Sequence, residues 1–341
     1  MWKDWYLKDL SKVRKNGLKV FSCFSCGGGS SMGYKKAGFE IIGINEIDKG
    51  LVEIYKKNFP NTKFIFDISI QEMVNNKQYP KELYDLDILD GSPPCSVFSI
   101  AGSREKKWGK KTHFREGQVK QILDDLFEWF VKLAKDLQPK VIIAENVKGM
   151  LMGNAKGYIK QIFKQLNDAG YNTQLFLLNS ASMGIPQRRE RVFFIAIRKD
   201  INKKIKLNFN EKPVFYKDIK TKNGITRDLT EFERKSFDSI TIKDKNFADL
   251  NMKNRGKNIG FSFPIFWDNM IPNTLASTSN CYNGAERRMI TSIELCRIQS
   301  FPLDYDFIKN TYSNIKYLLG MSVPPIMMEK IAKEVYNQIL K

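Results

Sequence analysis

Over the first two hundred residues, short β-branched or aromatic runs alternate with amphipathic stretches, a pattern that predicts a parallel sheet with helices on both faces. The strand candidates are Leu18 to Phe24, Ile41 to Asn45, Leu86 to Leu89, Val141 to Ala144, Thr173 to Leu178 and Arg191 to Ile197, and the apolar run Phe64 to Phe66 reads as a further one. Ile122, Leu126, Phe130, Leu133 and Leu137 recur at helical spacing, as do Ile159, Ile162, Phe163 and Leu166, so both sets predict core-facing helix stripes. From about Asp200 to Asn283 the periodicity degrades into Lys, Asn, Asp and aromatic residues, which predicts a separate lobe. Order returns at Met289, with a helix expected over Ser292 to Ile298 and a last one after Pro324 and Pro325, where proline suits a first turn.

A chain of 341 residues is long enough for a large domain and a smaller one. No apolar run approaches the length of a membrane span, and the N-terminal stretch lacks the apolar core of a signal peptide, so a soluble cytoplasmic protein is expected. Five cysteines without framework spacing fit reduced thiols. Lys and Arg total 56 against 37 acids, a formal charge of +19, which favours a polyanionic partner but equally fits the Lys- and Asn-rich bias of an AT-rich genome.

The stretch VFSCFSCGGGSSMGYKKAGF reads as strand, glycine turn and helix, with Gly27, Gly28 and Gly29 allowing close approach to a ligand. Glu46 ends the next strand, where an acid can accept from ribose hydroxyls, and Asp67 follows the Phe64 to Phe66 run, where it can accept from an adenine amino group. Three such positions in order suggest an adenosine-type cofactor, although a plain strand-turn-helix with an exposed acid has the same appearance. Cys23 and Cys26 have CxxC spacing, but Cys23 falls inside a strand and no second pair or histidine cluster completes a metal site.

In LDILDGSPPCSVFSIAG, Cys95 follows a strand, Gly91 and the rigid Pro93-Pro94 pair, at the sheet edge where doubly wound folds place their sites. By type alone a cysteine is more often inert and buried. Glu145 and Asn146 end another strand on the same edge, and Gln187, Arg189 and Arg191 start a further one, so a carboxyl group and guanidiniums can hold opposite sides of a pyrimidine ring. The segment SREKKWGKKTHFREG places Arg104, Lys106, Lys107, Lys110, Lys111 and Arg115 around Trp108 and Phe114, which fits a loop closing on phosphates or simply a solvated face. His113 is the single histidine, so multi-histidine metal sites are excluded and a Ser-His-Asp hydrolase is disfavoured.

In order, the motifs F-x-C-x-G-G, INEID, DI, GSPPCSVFS, ENV, Q-x-R-x-R and R-x-I-T-x-x-E-x-x-R-I-Q-x-F-P are those of a known family, and over nearly its whole length the sequence resembles the DNA cytosine-5 methyltransferases. The last motif is carried by Arg288, Ile290, Thr291, Glu294, Arg297, Ile298, Gln299, Phe301 and Pro302. The resemblance implies an α/β, Rossmann-like S-adenosylmethionine-dependent domain over residues 1–200, completed by 318–341, and a smaller irregular target-recognition domain over 201–317. It also implies that Phe24, Gly28, Gly29, Glu46, Ile47, Asp67, Ile68, Ser322 and Val323 line the S-adenosylmethionine pocket, and that Cys95 is the nucleophile. Glu145 would meet N3 of the flipped cytosine and Arg191 its O2, with Arg189 beside a phosphate.

The chemistry requires these types together, because thiolate addition at carbon-6 is what makes carbon-5 nucleophilic, while charge on N3 and O2 needs a proton donor and a cation. Two departures stand out. Cys26 occupies a glycine position, to be absorbed by Gly27, and Gly320-Met321 stands where the family has glycine-asparagine, which removes an amide near the reacting groups.

The implied partner is double-stranded DNA, recognised by a monomer that is bacterial or phage-encoded, with a cognate restriction endonuclease or as an orphan enzyme. Two rivals remain: a transfer-RNA cytosine-5 methyltransferase sharing nucleophile and cofactor residues, and a catalytically silent DNA-binding relative.

Overall fold

The β-branched runs build one seven-stranded sheet. Its members are β1 (Lys19–Cys23), β2 (Glu40–Asn45), β3 (Phe64–Phe66), β4 (Ile88–Gly91) and, after a two-residue pair β5 (Lys111–Thr112) and β6 (Gln121–Ile122) that stands apart, β7 (Val141–Val147), β8 (Tyr171–Asn179) and β9 (Glu190–Arg198). The order is β3-β2-β1-β4-β7-β9-β8. The computed structural model describes residues 2–94, 111–112, 121–122, 126–152, 155–256 and 263–341. Cys95, His113 and most of the basic segment around Trp108 therefore lie outside the described residues.

Strands β1 to β4 and β7 run parallel, as the alternation predicts. β9 departs from that expectation and pairs antiparallel with β7, from Val141↔Ile197 to Val147↔Arg191. Helices α1 (Gly29–Lys36), α2 (Lys49–Asn58), α3 (Ile70–Asn76), α4 (Leu126–Leu137) and α5 (Ala155–Asp168) connect the strands. The α4 stripe is buried through Leu126, Phe130, Leu133 and Leu137, but Ile122 belongs to β6 and not to this helix. Among the described residues no helix is long and apolar enough to cross a membrane, and Cys23, Cys26, Cys281 and Cys296 are free thiols.

The sheet belongs to a unit made of residues 10–178, 190–208 and 328–341; residues 1–9, 179–189 and 209–327 form a second. The second contains α6 (Glu231–Phe237), α7 (Phe247–Arg255), a three-stranded sheet of β10 (Ile265–Phe266), β11 (Tyr282–Asn283) and β12 (Arg288–Met289), then α8 (Ser292–Ile298) and α9 (Tyr312–Met321). Phe237, Phe247, Leu250, Ile265, Tyr282 and Met289 form a core within it. The last helix, α10 (Pro325–Val335), starts on a proline, whose missing N–H costs nothing in a first turn.

The R-x-I-T-x-x-E motif is a scaffold of this second unit. Glu294 is fully buried; it accepts from Arg288 Nη1 and Nη2 at 2.8 and 2.9 Å and from Tyr216 Oη at 2.7 Å. Thr291 caps α8 by accepting from the Glu294 N–H at 3.3 Å, while its own N–H donates to the Glu294 carboxylate at 2.6 Å.

Residues 179–189 fall in this unit, and so do 318–327, because two side chains of the Q-x-R-x-R motif are spent there. Gln187 donates to Ile298 O at 2.9 Å and to Gln299 Oε1 at 2.7 Å, and accepts from the Leu275 N–H at 3.0 Å. Arg189 is 2% exposed and donates to the carbonyls of Leu275, Gly320 and Ser322 at 3.3, 3.2 and 3.1 Å. Its guanidinium is a clamp on main chain. Gly320 is packed against the Ser277 main chain, where a Cβ would collide with the Ser277 nitrogen.

Arg189→Met strands buried carbonyls and is expected to lower the unfolding free energy by about 3 kcal/mol, read by denaturant titration, with Arg189→Lys recovering less than half of the loss.

Candidate active site

The carboxyl ends of β1, β2 and β3 gather the expected cofactor residues in the sheet-bearing unit. Leaving β1, Phe24 and Cys26 both adopt left-handed φ of 53° and 48°, and Gly28 follows at 80°. Cys26 thus takes the glycine conformation itself and is not relieved by Gly27. Its N–H donates to Glu46 Oε2 at 2.9 Å, and Asp48 N–H donates to Oε1 at 3.0 Å. Burial raises the Glu46 carboxyl above its usual range, against these main-chain donors, which favour its charged form. The glycine at 28 is demanded from within: a Cβ would meet the rings of Phe59 at 2.6 Å and Tyr55 at 2.9 Å. Gly29 is the first residue of α1.

Asn45 donates to the carbonyls of Phe66 and Ile68 at 3.2 and 2.8 Å, which fixes the strand end that carries Asp67. Sequence reasoning gave Asn45 no role. Asp67 is exposed, whereas Phe24, Ile47 and Ile68 are half-buried. A carboxylate anchored by two N–H donors, an exposed acid and three half-covered apolar side chains form a donor set suited to a nucleoside: acceptors for hydroxyl and amino groups beside apolar surface for a base. Ser322 and Val323, the other two expected cofactor residues, lie in the second unit and are buried. Ser322 turns its hydroxyl onto Leu318 O at 2.8 Å, and its carbonyl accepts from Arg189 and Gln299. Met321 ends α9 and is half-buried.

At the end of β4, Asn146 donates to Pro93 O at 3.1 Å, and Ser92 Oγ donates to Phe24 O at 3.3 Å. These two bonds fix the start of the segment that carries Cys95 to β7 and to the turn after β1. Neither was legible beforehand, since each ends on a main-chain carbonyl.

The β7–β9 register brings Arg191 beside Glu145. Arg191 Nε stands 2.9 Å from Glu145 Oε1, and the two side chains are 15% and 10% exposed. Arg191 Nη1 donates to Glu190 O at 2.8 Å. Burial pulls the guanidinium below its ordinary range and the Glu145 charge opposes that pull. In so dry a setting a ring placed against them meets polar groups already oriented, which need no reorganisation.

A family model for C-5 cytosine-specific DNA methylase matches residues 18–337. The chain is 29% identical to the type II methyltransferase M.NgoPII of Neisseria gonorrhoeae over 96% of its length and 97% of the relative's. It is 30% identical to the type II methyltransferase M.FnuDI of Fusobacterium nucleatum, covering 93% of this chain and 94% of that one. Among solved structures, a prophage-encoded E. coli protein described as a DNA modification methyltransferase superposes with a TM-score of 0.66 at 22% identity, over 95% of this chain and all 100% of its own. A mutant of DNMT2 from Spodoptera frugiperda does so with a TM-score of 0.64 at 18% identity, over 94% of this chain and 100% of its own. With the glycine turn, the anchored Glu46 and the Glu145–Arg191 pair in the family's order, the chain belongs to the C-5 cytosine-specific DNA methylases and is a DNA methyltransferase.

Proposed function

We propose that the protein transfers the methyl group of S-adenosylmethionine to carbon-5 of a cytosine flipped out of double-stranded DNA, through a covalent adduct with Cys95. The observation that carries this reading is the nearly dry Glu145–Arg191 contact of 2.9 Å, preformed on the strand whose Asn146 holds Pro93, two residues before Cys95. When bound, S-adenosylmethionine supplies an electrophilic methyl group on a sulfonium. Phe24, Glu46, Ile47, Asp67 and Ile68 would hold it, with Glu46 accepting from the ribose and Asp67 from the adenine amino group; Gly28 and Gly29 shape the turn.

The thiolate of Cys95 adds to carbon-6 of the cytosine, and the displaced electron pair makes carbon-5 the nucleophile. Glu145 meets N3 and Arg191 meets O2, where charge develops. After transfer, the proton on carbon-5 leaves to a base; its electron pair restores the ring double bond as the sulfur–carbon bond breaks, returning the thiolate. Arg189 acts by position, through its main-chain clamp. The unit containing residues 209–327 reads the target sequence. The type II names of the relatives support a restriction-modification setting with a companion endonuclease, and a phage relative named an orphan methyltransferase, 31% identical over 64% of this chain, supports a solitary one.

Nucleoside mass spectrometry of mixed-sequence DNA and of transfer RNA, incubated with protein and S-adenosylmethionine, tests the reaction: 5-methylcytosine is expected in the DNA alone. Methylation of RNA alone would move the substrate, and neither product would leave a silent binder.

Cys95→Ser is expected to abolish transfer while DNA and cofactor binding persist, measured by gel shift and calorimetry. Arg191→Ala should lower kcat by about 100-fold with a smaller change in DNA affinity. Glu46→Gln should weaken S-adenosylmethionine binding by about tenfold, through the loss of a charged acceptor.

A further inference from the structure

One buried acid has no place in the mechanism above. Asp90, the third residue of β4, is 2% exposed and stands in register with Ser22 of β1. Its Oδ2 accepts from Ser22 Oγ at 2.7 Å and its Oδ1 from Tyr34 Oη at 3.1 Å, and the Ser30 hydroxyl also hydrogen bonds to it. Ser30 and Tyr34 belong to α1, which begins directly after the left-handed Gly28. The carboxyl group therefore lies under the glycine turn of the cofactor site, tied to the strand that enters that turn and to the helix that leaves it.

The groups that face Asp90 are hydroxyls, a thiol and one further acid. Besides Ser22, Ser30 and Tyr34 they are Cys23 of β1, Tyr55 of α2 and Glu145 of β7, each of which interacts with it electrostatically. Among the described residues no Lys or Arg forms an ion pair with it. Burial drives the Asp90 carboxyl up to about 7, aided by the charge on Glu145 and opposed by the hydroxyl donors. Burial also pushes the Cys23 thiol and the Tyr34 and Tyr55 phenols above their usual ranges, so they stay neutral near pH 7.

An acid with three hydroxyl donors and, among the described residues, no cation paired to it is short of one charge. Resting on the S-adenosylmethionine reading, we propose that Asp90 is the buried counter-charge of the cofactor site, favouring the sulfonium cofactor over its neutral thioether product. The attraction is reciprocal. A cation held above the turn stabilises the Asp90 carboxylate, so binding drives its proton into solvent. After methyl transfer the sulfur carries no charge, the attraction falls away, and the carboxylate takes a proton back from solvent.

Calorimetric titration of the wild-type protein and of Asp90→Asn with S-adenosylmethionine and with S-adenosylhomocysteine, from pH 6.0 to 7.5, tests this. A counter-charge that lowers the Asp90 pKa by about one unit gives about a tenfold limit to the gain in sulfonium affinity with rising pH. The wild type is expected to gain several-fold in preference for the sulfonium ligand over the thioether across this range. Asp90→Asn should show a smaller preference that changes less with pH than the wild type's, because titration of the ligands' amino groups is common to both proteins and cancels in the comparison. If the variant fails to fold, titration of the wild type in buffers of differing ionisation enthalpy suffices: proton release should accompany the sulfonium ligand and exceed that with the thioether. Equal pH dependence for the two ligands, or a variant indistinguishable from wild type, would overturn the counter-charge. Failure of the wild type to bind either ligand would instead overturn the cofactor reading on which it rests.

Discussion

The antiparallel pairing of β9 with β7 is the constraint from which the site follows. A parallel strand in that position would begin at the opposite edge of the sheet. Reversed, β9 begins where β7 ends, and the register Val147↔Arg191 sets a guanidinium beside the Glu145 carboxylate. Moving the register by one residue would turn Arg191 to the other face and lose the contact, because side chains alternate along a strand. Val192, Phe194 and Ala196 hold it in place by packing in the same core as Phe127, Phe130 and Leu133 of α4. The Glu145–Arg191 geometry is thus fixed by apolar packing away from the polar edge.

That edge concentrates buried charge. Taking Glu145 and Arg191 out of water costs more than their attraction reliably returns, so the pair is weak evidence for stability and fits the proposed role of a preset field for a ring. Asp90 lies one strand over and carries the same cost with no cation paired to it among the described residues. Glu294 offers the contrast. It is equally buried in the second unit but saturated by Arg288 and Tyr216, as a structural acid should be.

The strands were legible in the sequence because their apolar runs are nearly continuous, and all seven proposed runs overlap observed strands to within three residues at either end. The reversal of β9 was not legible, because direction leaves no trace in hydropathy. Ile122 carried the helical spacing of α4 into a residue that forms a β-bridge, an override of local periodicity by pairing. Glu46, Glu145 and Arg191 could be named since their types suit the chemistry. Asn45, Ser92 and Asn146 could not, because their partners are main-chain carbonyls that any residue would supply. Arg189 was placed by or near a phosphate through the family resemblance, and its bonds to main-chain carbonyls were not legible, because a guanidinium satisfies carbonyl oxygens as well as phosphates.

The Q-x-R-x-R motif divides between the two units, and this bears on the Met321 departure. Gln187 and Arg189 belong to the second unit, while Arg191 belongs to the sheet-bearing one. What Arg189 holds is the carbonyl of Gly320 on one side of Met321 and that of Ser322 on the other, and Gln299 also donates to Ser322 O. The backbone around position 321 is therefore set by bonds that any side chain there would leave in place. Gly320 is the sensitive position, because a Cβ there would collide with the Ser277 main chain, whereas Met321 is half-buried and unconstrained by that contact. Exchange of asparagine for methionine removes one amide and leaves the main-chain frame standing, so its effect belongs to the chemistry of that side chain and not to the fold.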